Sequence, residues 1–399
     1  VSTAVATGKF LGSDAEDSPK GGLIELYSQE QQAILVNEIH TAWEACRKAV
    51  ETGNKDLIRE LHINAKLHDQ STDYKKIQKS LLKHQKYFPN GKYIDPQKIK
   101  PRLVAVKERS LEEELFRITR SYWSMPYSKG YGRRLRFVLI DDYHEAVIGI
   151  IGLQSPSADL ACRDTYLGIA KEKKLELINN TLDAYTIGAS PVYAPLLGGK
   201  LVAGFLHSEE IRRHYWRVYG NKRTTLLNRK TPQPLLAITT ASAFGKSSIY
   251  NRLKYNGSLL AKPLGYTKGY GTLHLESIYP KIVDFLKSSG KHVPAGFGNG
   301  PKVRWQNIIK GLAELGISRE YLAHGLKREI YIFEFVDNLI NVCQRGETPN
   351  VTRFDDENWS EYWKEKWGIP RSIKNPQWQS VDSLSEILCA IPQRQSTVS

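Results

Sequence analysis

The run Ala-Phe-Gly-Lys-Ser-Ser places Gly245, Lys246, Ser247 and Ser248 between an apolar stretch from Pro234, which reads as a strand, and Ile249–Tyr255, which reads as a helix. A phosphate-wrapping P-loop ends this way, but it also needs a glycine five residues before the second one, and Thr240 stands there. Nucleotide hydrolysis is therefore not expected. A milder chemistry remains. Free amides at a helix N-terminus beside Lys246 and Ser247, with Arg252 further along, would hold a phosphate of DNA, RNA or a cofactor. A capped helix start explains the same residues without any ligand.

Gly198, Gly199 and Lys200 open a second strand-loop-helix unit, where glycines admit close backbone approach. The unit resembles the pyrophosphate loop of GNAT acyltransferases, and acyl-coenzyme A is the cofactor that this alternative implies. Pro195 replaces the usual Arg or Gln, and Lys200 stands where a second small residue is expected. The competing reading is a glycine pair that lets a helix pack tightly on a sheet.

Two groups of residues have the types that hold metals. His207, Glu210 and His214 recur at i, i+3 and i+7, on one helical face, but Glu209, Arg212, Arg213 and Arg217 around them suit a solvated face. Asp141, Asp142 and Glu145, with Asp164, are the carboxylates that a divalent-metal nuclease would use, and turn chemistry explains them as well. Neither group fixes a metal. Arg163 and Asp164 read either as an ion pair that pins a loop or as a functional pair whose arginine contacts an anion.

The aromatic and basic turns have a more specific logic. Lys129, Tyr131, Arg133, Arg134 and Arg136 surround Gly130 and Gly132, and Tyr266, Lys268 and Tyr270 alternate with Gly265, Gly269 and Gly271. Glycine frees the backbone to approach a polyanion, tyrosine stacks on bases, and Lys or Arg neutralises phosphate. A bend entering a strand uses the same residues.

The composition favours the nucleic-acid reading. The 399 residues carry 57 Lys and Arg against 42 Asp and Glu, a formal charge of +15. Between Lys55 and Arg136 the count is 20 against 9, with tyrosines interleaved. Such an excess binds polyanions through counterion release. The four cysteines form no CxxC pair, so neither a zinc knuckle nor a disulfide framework is indicated. No apolar run is long enough to span a bilayer and no secretory signal is present, so a cytoplasmic, non-membrane protein is expected.

The elements that would position these residues follow from spacing. Ser28 and Gln31, and again Ser110 and Glu113, have the spacing of a capping box. Leu35, Ile39, Trp43, Cys46 and Val50 then recur at helical intervals. RFVLI and AVIGIIGL flank an acidic turn as a hairpin, KEKKLELINN reads as a helix, LDAYTIGA and PLLAITT as strands, and the chain after Tyr279 as mainly helical. The expected fold is α+β, a central mixed sheet flanked by helices and GNAT-like in plan, with helical N-terminal and C-terminal regions. The expected divisions are a flexible arm 1–22, a basic helical region 23–128, a mixed core 129–276, a tryptophan-rich helical region 277–390 and a tail 391–399.

Taken together, GRRLRFVLIDD, VIGIIGLQSPS, CRDTYLGI, LDAYTIGASPVYAPLLGGKLVAGFLHSEEIRRHYWRVYG, LAITTASAFGKSSIYNRL and PLGYTKGYGTLHL resemble the core of the DruA family of the Druantia anti-phage defence system. RWQNIIKGLAELGI and LAHGLKREIYIF are similar to that family's C-terminal part. The resemblance implies a component of a multi-gene bacterial defence system, with the other proteins of that system as partners. Related domains joined to transposase catalytic domains point toward DNA. Tryptophan-rich C-terminal helices that bind those other proteins are a further alternative, which exposed tryptophans would favour.

Overall fold

The computed structural model describes residues 27–68, 72–126, 130–223, 228, 234–294 and 303–392. The expected arm 1–22, Lys129 and residues 393–399 lie outside them. Helix α1 (Gln29–Glu51) starts at the expected box, with the Ser28 hydroxyl accepting from the Gln31 amide at 3.1 Å and the Gln31 side chain accepting from the Ser28 amide at 2.8 Å. After it come α2 (Lys55–Leu67), α3 (Tyr74–Lys83), β1 (Pro101–Ala105) and α4 (Leu111–Ser121). The Ser110 hydroxyl caps α4, and the Glu113 carboxylate takes the Arg109 amide instead of that of Ser110, so this box closes one residue earlier than spacing implies.

The middle of the chain supplies β2 (Leu135–Asp141), β3 (Ala146–Gln154), α5 (Ala161–Leu167), the one-turn α6 (Lys174–Leu177), β4 (Thr181–Ala189), α7 (Gly198–Gly204), α8 (Glu209–Tyr219) and β5 (Ala237–Ala241). A two-residue hairpin β6 (Lys254–Tyr255) and β7 (Ser258–Leu259) precedes β8 (Lys262–Tyr266). Then follow α9 (Tyr279–Ser288), α10 (Val303–Glu314), β9 (Glu329–Glu334), α11 (Leu339–Arg345), α12 (Asp356–Trp363), α13 (Ile369–Lys374) and α14 (Ser383–Ala390).

These elements form two units, Val1–Glu38 with Ile278–Ser318, and Ile39–Ser277 with Arg319–Ser399. In the first, α9 and α10 pair closely because Gly311 leaves room for Ile282. Asn307, fully buried, ties the chain between them by exchanging hydrogen bonds with the Val293 amide and carbonyl at 2.9 and 3.0 Å.

The second unit is built on a seven-stranded sheet of order β1-β2-β3-β4-β5-β9-β8. Every neighbouring pair is antiparallel except β4 and β5, which run parallel with Asp183 opposite Thr239. Strand β3 is apolar along its length and buried up to Leu153, as a strand covered on both faces requires. On one face Phe137, Leu139 and Ile148 pack with Val202 of α7 and with Trp359 and Trp363. On the other, Val138 and Ile150 pack with Leu81 of α3, Phe116 of α4 and Ile387 of α14, and α5 and α11 cover the end around Ala237 and Ile332.

Three sequence expectations change here. No helix follows the Gly-Lys-Ser-Ser turn: residues 248–252 form turns that lead into the β6–β7 hairpin. KEKKLELINN folds as short 3-10 and α turns rather than one helix. KREIYIF, within the stretch read as helical, becomes β9 inside the sheet; β-branched and aromatic residues pack well there. The tryptophans of the C-terminal stretch are mostly core: Trp359, Trp363 and Trp378 are buried, and the first two donate their indole N–H to the carbonyls of Leu201 and Leu197 at 3.0 and 3.1 Å. Gly204 makes this packing feasible, since a Cβ there would sit 2.1 Å from the Trp359 ring.

Candidate nucleic-acid interface

Helix α3 uses one face for folding and leaves the other charged. Tyr74, Ile77 and Leu81 turn into the core at helical spacing. The outward positions are Lys75, Lys76, Lys79, Leu82 and Lys83, with Lys86 in the next 3-10 turn. Like charges at i, i+4 destabilise a helix by a few tenths of a kcal/mol per pair, so this strip is not what folding alone would select. The carboxylates that approach it are Glu114, 3.9 Å from Lys83, and Glu145, 3.7 Å from Lys86. The Ser80 hydroxyl, and after it His84 and Lys83, hold Glu114 below the usual carboxylate range against the opposing effect of burial. Lys75, Lys76 and Lys79 form no ion pair among the described residues. Beyond them Lys92 lies 4.9 Å from the centre of the Tyr93 ring, which is 68% exposed, giving an aromatic plate beside the lysines. The sequence had marked this region for its charge but not these residues. The signal was the i, i+4, i+8 spacing of Lys75, Lys79 and Lys83 against apolar positions at i, i+3, i+7.

The Gly130–Arg136 turn divides its cations. Its backbone is latched to the next loop, with the Ser155 amide donating to the Tyr131 carbonyl at 3.1 Å and the Arg133 amide to the Ser155 hydroxyl at 2.9 Å. The Arg133 guanidinium turns inward and donates to the carbonyls of Asn179 and Thr181 at 2.6 and 3.3 Å and to the Tyr215 hydroxyl. Arg136 pairs with Glu113 at 3.0 Å. Tyr131 and Arg134 remain exposed.

Nearby, Arg163 is fully buried. It holds the Asp164 carboxylate at 2.6 and 2.9 Å and the Ser157 carbonyl at 2.8 Å. Ser157 in turn donates its amide to Asp183 at 2.7 Å, and Thr239 donates its hydroxyl to the same carboxylate. Burial raises the Asp183 carboxyl above its ordinary range despite these donors and the Arg163 charge. This network pins the Ser155–Asp159 loop across the parallel pair of strands. Asp183 and Thr239 escaped the sequence reading, although an aspartate in the apolar run LDAYTIGA was a visible signal.

The Gly-Lys-Ser-Ser and Gly-Tyr-Thr-Lys-Gly-Tyr-Gly segments are brought together by residues 325–329. The Glu329 amide donates to the Gly245 carbonyl at 3.0 Å, the Thr267 amide to the Arg328 carbonyl at 2.9 Å and the Gly325 amide to the Gly269 carbonyl at 2.9 Å. Lys246, Arg252, Tyr266, Lys268 and Tyr270 are exposed. The Ser247 hydroxyl is directed inward, accepting from the amides of Ile249 and Tyr250. Lys200 is half-buried and donates to the carbonyls of Ser248 and Ile249 at 3.2 and 3.0 Å, tying the first turn of α7 to this turn. Gly198 and Gly199 are themselves buried, and Cβ atoms there would lie 2.6 Å from the Tyr193 carbonyl and 3.1 Å from Ile249. The pair admits packing neighbours.

The metal-type residues have separate partners. His207 bonds the Leu260 carbonyl at 2.9 Å and stacks on Phe354, Glu210 pairs with Arg217 at 2.5 Å, and His214 lies edge-on to Phe137. Asp141, fully buried, accepts from the Lys100 amide, the Tyr193 hydroxyl and His144, while Asp142 binds Arg102 and Asp164 binds Arg163. Among the described residues no three His, Cys, Asp or Glu are placed to hold a metal ion, and no helix is long and apolar enough to cross a membrane.

Comparison with known proteins agrees with the sequence resemblance. Residues 52–344 match the family described as Druantia protein DruA, a span that contains the α3 face and the whole sheet. The Druantia protein DruA of Escherichia coli (strain UMEA 4076-1) is 36% identical over 331 residues, covering 82% of each chain. No solved structure matches. The chain belongs to the DruA family of Druantia proteins.

Proposed function

We propose that this DruA-family protein serves anti-phage defence in the cytoplasm by holding nucleic acid on the outward face of α3, together with other proteins of the same defence system. The observation that carries the reading is the strip Lys75, Lys76, Lys79, Lys83 and Lys86, whose first three members have no carboxylate partner among the described residues and lie on a rigid, packed helix. From residue 72 to residue 100 the chain holds eight Lys and two Asp. Exposed Tyr93 beside Lys92 adds a surface on which a base would stack. The exposed cluster of Lys246, Tyr266, Lys268 and Tyr270 supplies a second set of phosphate and base contacts.

The reading is one of binding, without a reaction. The glycine pair that an acyl donor would need is enclosed by Tyr193 and Ile249, which favours the helix-packing role for it. Each lysine that neutralises a phosphate of a duplex contributes about 0.9 to the slope of log affinity against log salt. Binding of a labelled duplex and of the corresponding single strand, measured between low and physiological salt, tests the proposal. A steep fall with salt is expected, and absent or salt-independent binding by the purified protein removes the reading.

A further inference from the structure

Arg328 lies just before β9, partly buried, and its charge has no answering group. Its guanidinium makes no hydrogen bond or ion pair among the described residues. The adjacent Glu329 does not help, because successive residues of a strand point to opposite faces, and its carboxylate takes the hydroxyls of Tyr331 and Tyr266. Cys46, whose thiol lies near Arg328, is pushed up to about 11 by burial, so it is no thiolate counter-ion at neutral pH.

Three histidines converge on the same place from distant parts of the chain. His62 of α2, His274 and His324 are buried, with 1%, 3% and 5% exposure. Both ring nitrogens of His62 and both of His274 lack a hydrogen-bond partner; the Tyr321 carbonyl faces His274 without closing one. His324 accepts the Leu326 amide at 3.0 Å on Nδ1, and its ring centre lies 6.1 Å from that of His274. Burial, followed by Arg328 for His62 and His324 and by His324 for His274, pushes all three down to about 4. Ile58, one turn before His62, and Leu326, two residues after His324, pack with Ala49 in one apolar cluster.

A partly buried guanidinium without a carboxylate and buried imidazoles without hydrogen-bond partners are each costly. One missing species answers both. An anion with several oxygens neutralises the guanidinium and accepts from the imidazole N–H groups at the same time. We propose that Arg328, His62, His274 and His324 form a binding site for a phosphate group. The site shares no residue with the lysine face of α3 and does not depend on it.

The test is thermal unfolding of the full chain in sodium phosphate against sodium chloride at equal ionic strength. Phosphate is expected to raise the midpoint by a few degrees in the wild type and in a Lys75→Gln, Lys76→Gln, Lys79→Gln variant, and to lose this effect in Arg328→Gln. If Arg328→Gln does not fold, the His62→Phe, His274→Phe variant takes its place, with broadening of the phosphorus resonance of added phosphate as a second readout. No phosphate-specific shift in the wild type, or an equal shift in the site variants, overturns the proposal. Competition then separates the sources of the phosphate. Displacement by a 5′-phosphorylated oligonucleotide but not by its 5′-hydroxyl form assigns a nucleic-acid end, and displacement by neither assigns a free phosphate.

Discussion

Arg133 and Arg136 of the Gly130–Arg136 turn and the lysines of α3 belong to the same basic stretch of the sequence and meet opposite fates in the fold. Arg133 lies where β2 enters the sheet, beside the carbonyls of Asn179 and Thr181, and its planar fork is captured by them. Arg136 is captured by Glu113. The lysines sit on a helix whose apolar face is already committed to Leu115, Phe116 and Val138, so their compact ammonium groups stay in water. A basic residue is available to a polyanion only when no internal acceptor has claimed it.

The largest expected effect breaks the inward side of this comparison. Arg133→Ala removes the guanidinium donors to the Asn179 and Thr181 carbonyls and to the Tyr215 hydroxyl, and a loss of about 2–4 kcal/mol in urea unfolding is expected, with the salt slope of nucleic-acid binding unchanged. A variant of native stability with a shallower slope would instead place this turn in the interface. The outward side is tested by Lys75→Gln, Lys76→Gln, Lys79→Gln together. Affinity should fall about 10- to 100-fold at low salt and the slope by about 2–3, while stability stays within about 0.5 kcal/mol for each exposed change.

A smaller effect comes from pH. Burial alone would raise Glu113, but the Arg109 amide and the Arg136 guanidinium outweigh it and hold the carboxyl below its usual 4.5. A carboxylate with a depressed folded value stabilises above the ordinary range and loses that contribution as pH falls. Glu113→Gln should therefore cost about 1–2 kcal/mol at pH 7, and the difference from wild type should shrink below pH 4.5. A pH-independent difference would mean that packing, rather than the pair with Arg136, accounts for the loss. The smallest effect is expected for Lys268→Gln alone, about twofold in affinity, since one phosphate contact is one part of a distributed charge.

Much of the fold was legible. The box at Ser28, the Ser110 cap, the hairpin β2–β3 and the strands β4 and β5 lie where period and turn chemistry put them. The turns after Ser247 were not legible as such, because a strand, glycine and Ile-Tyr-Asn-Arg-Leu read locally like a helix start. Lys200 of α7 instead satisfies the Ser248 and Ile249 carbonyls from 48 and 49 residues away, and the segment closes without a helix. Likewise KREIYIF is short and apolar, a pattern that fits a strand or a buried helix equally until its neighbours in the sheet are known.

The sequence by itself determined the α+β class, the family, and a surplus of cations placed before Arg136. Periodicity and composition are local quantities, and these properties follow from them. Only the tertiary structure decided which cations are free, because that depends on acceptors such as Asn179 and Glu113 that are distant in the chain. It alone brought His62, His274, His324 and Arg328 together from distant parts of the chain, where desolvation gives four unremarkable residues the character on which the proposed phosphate site rests.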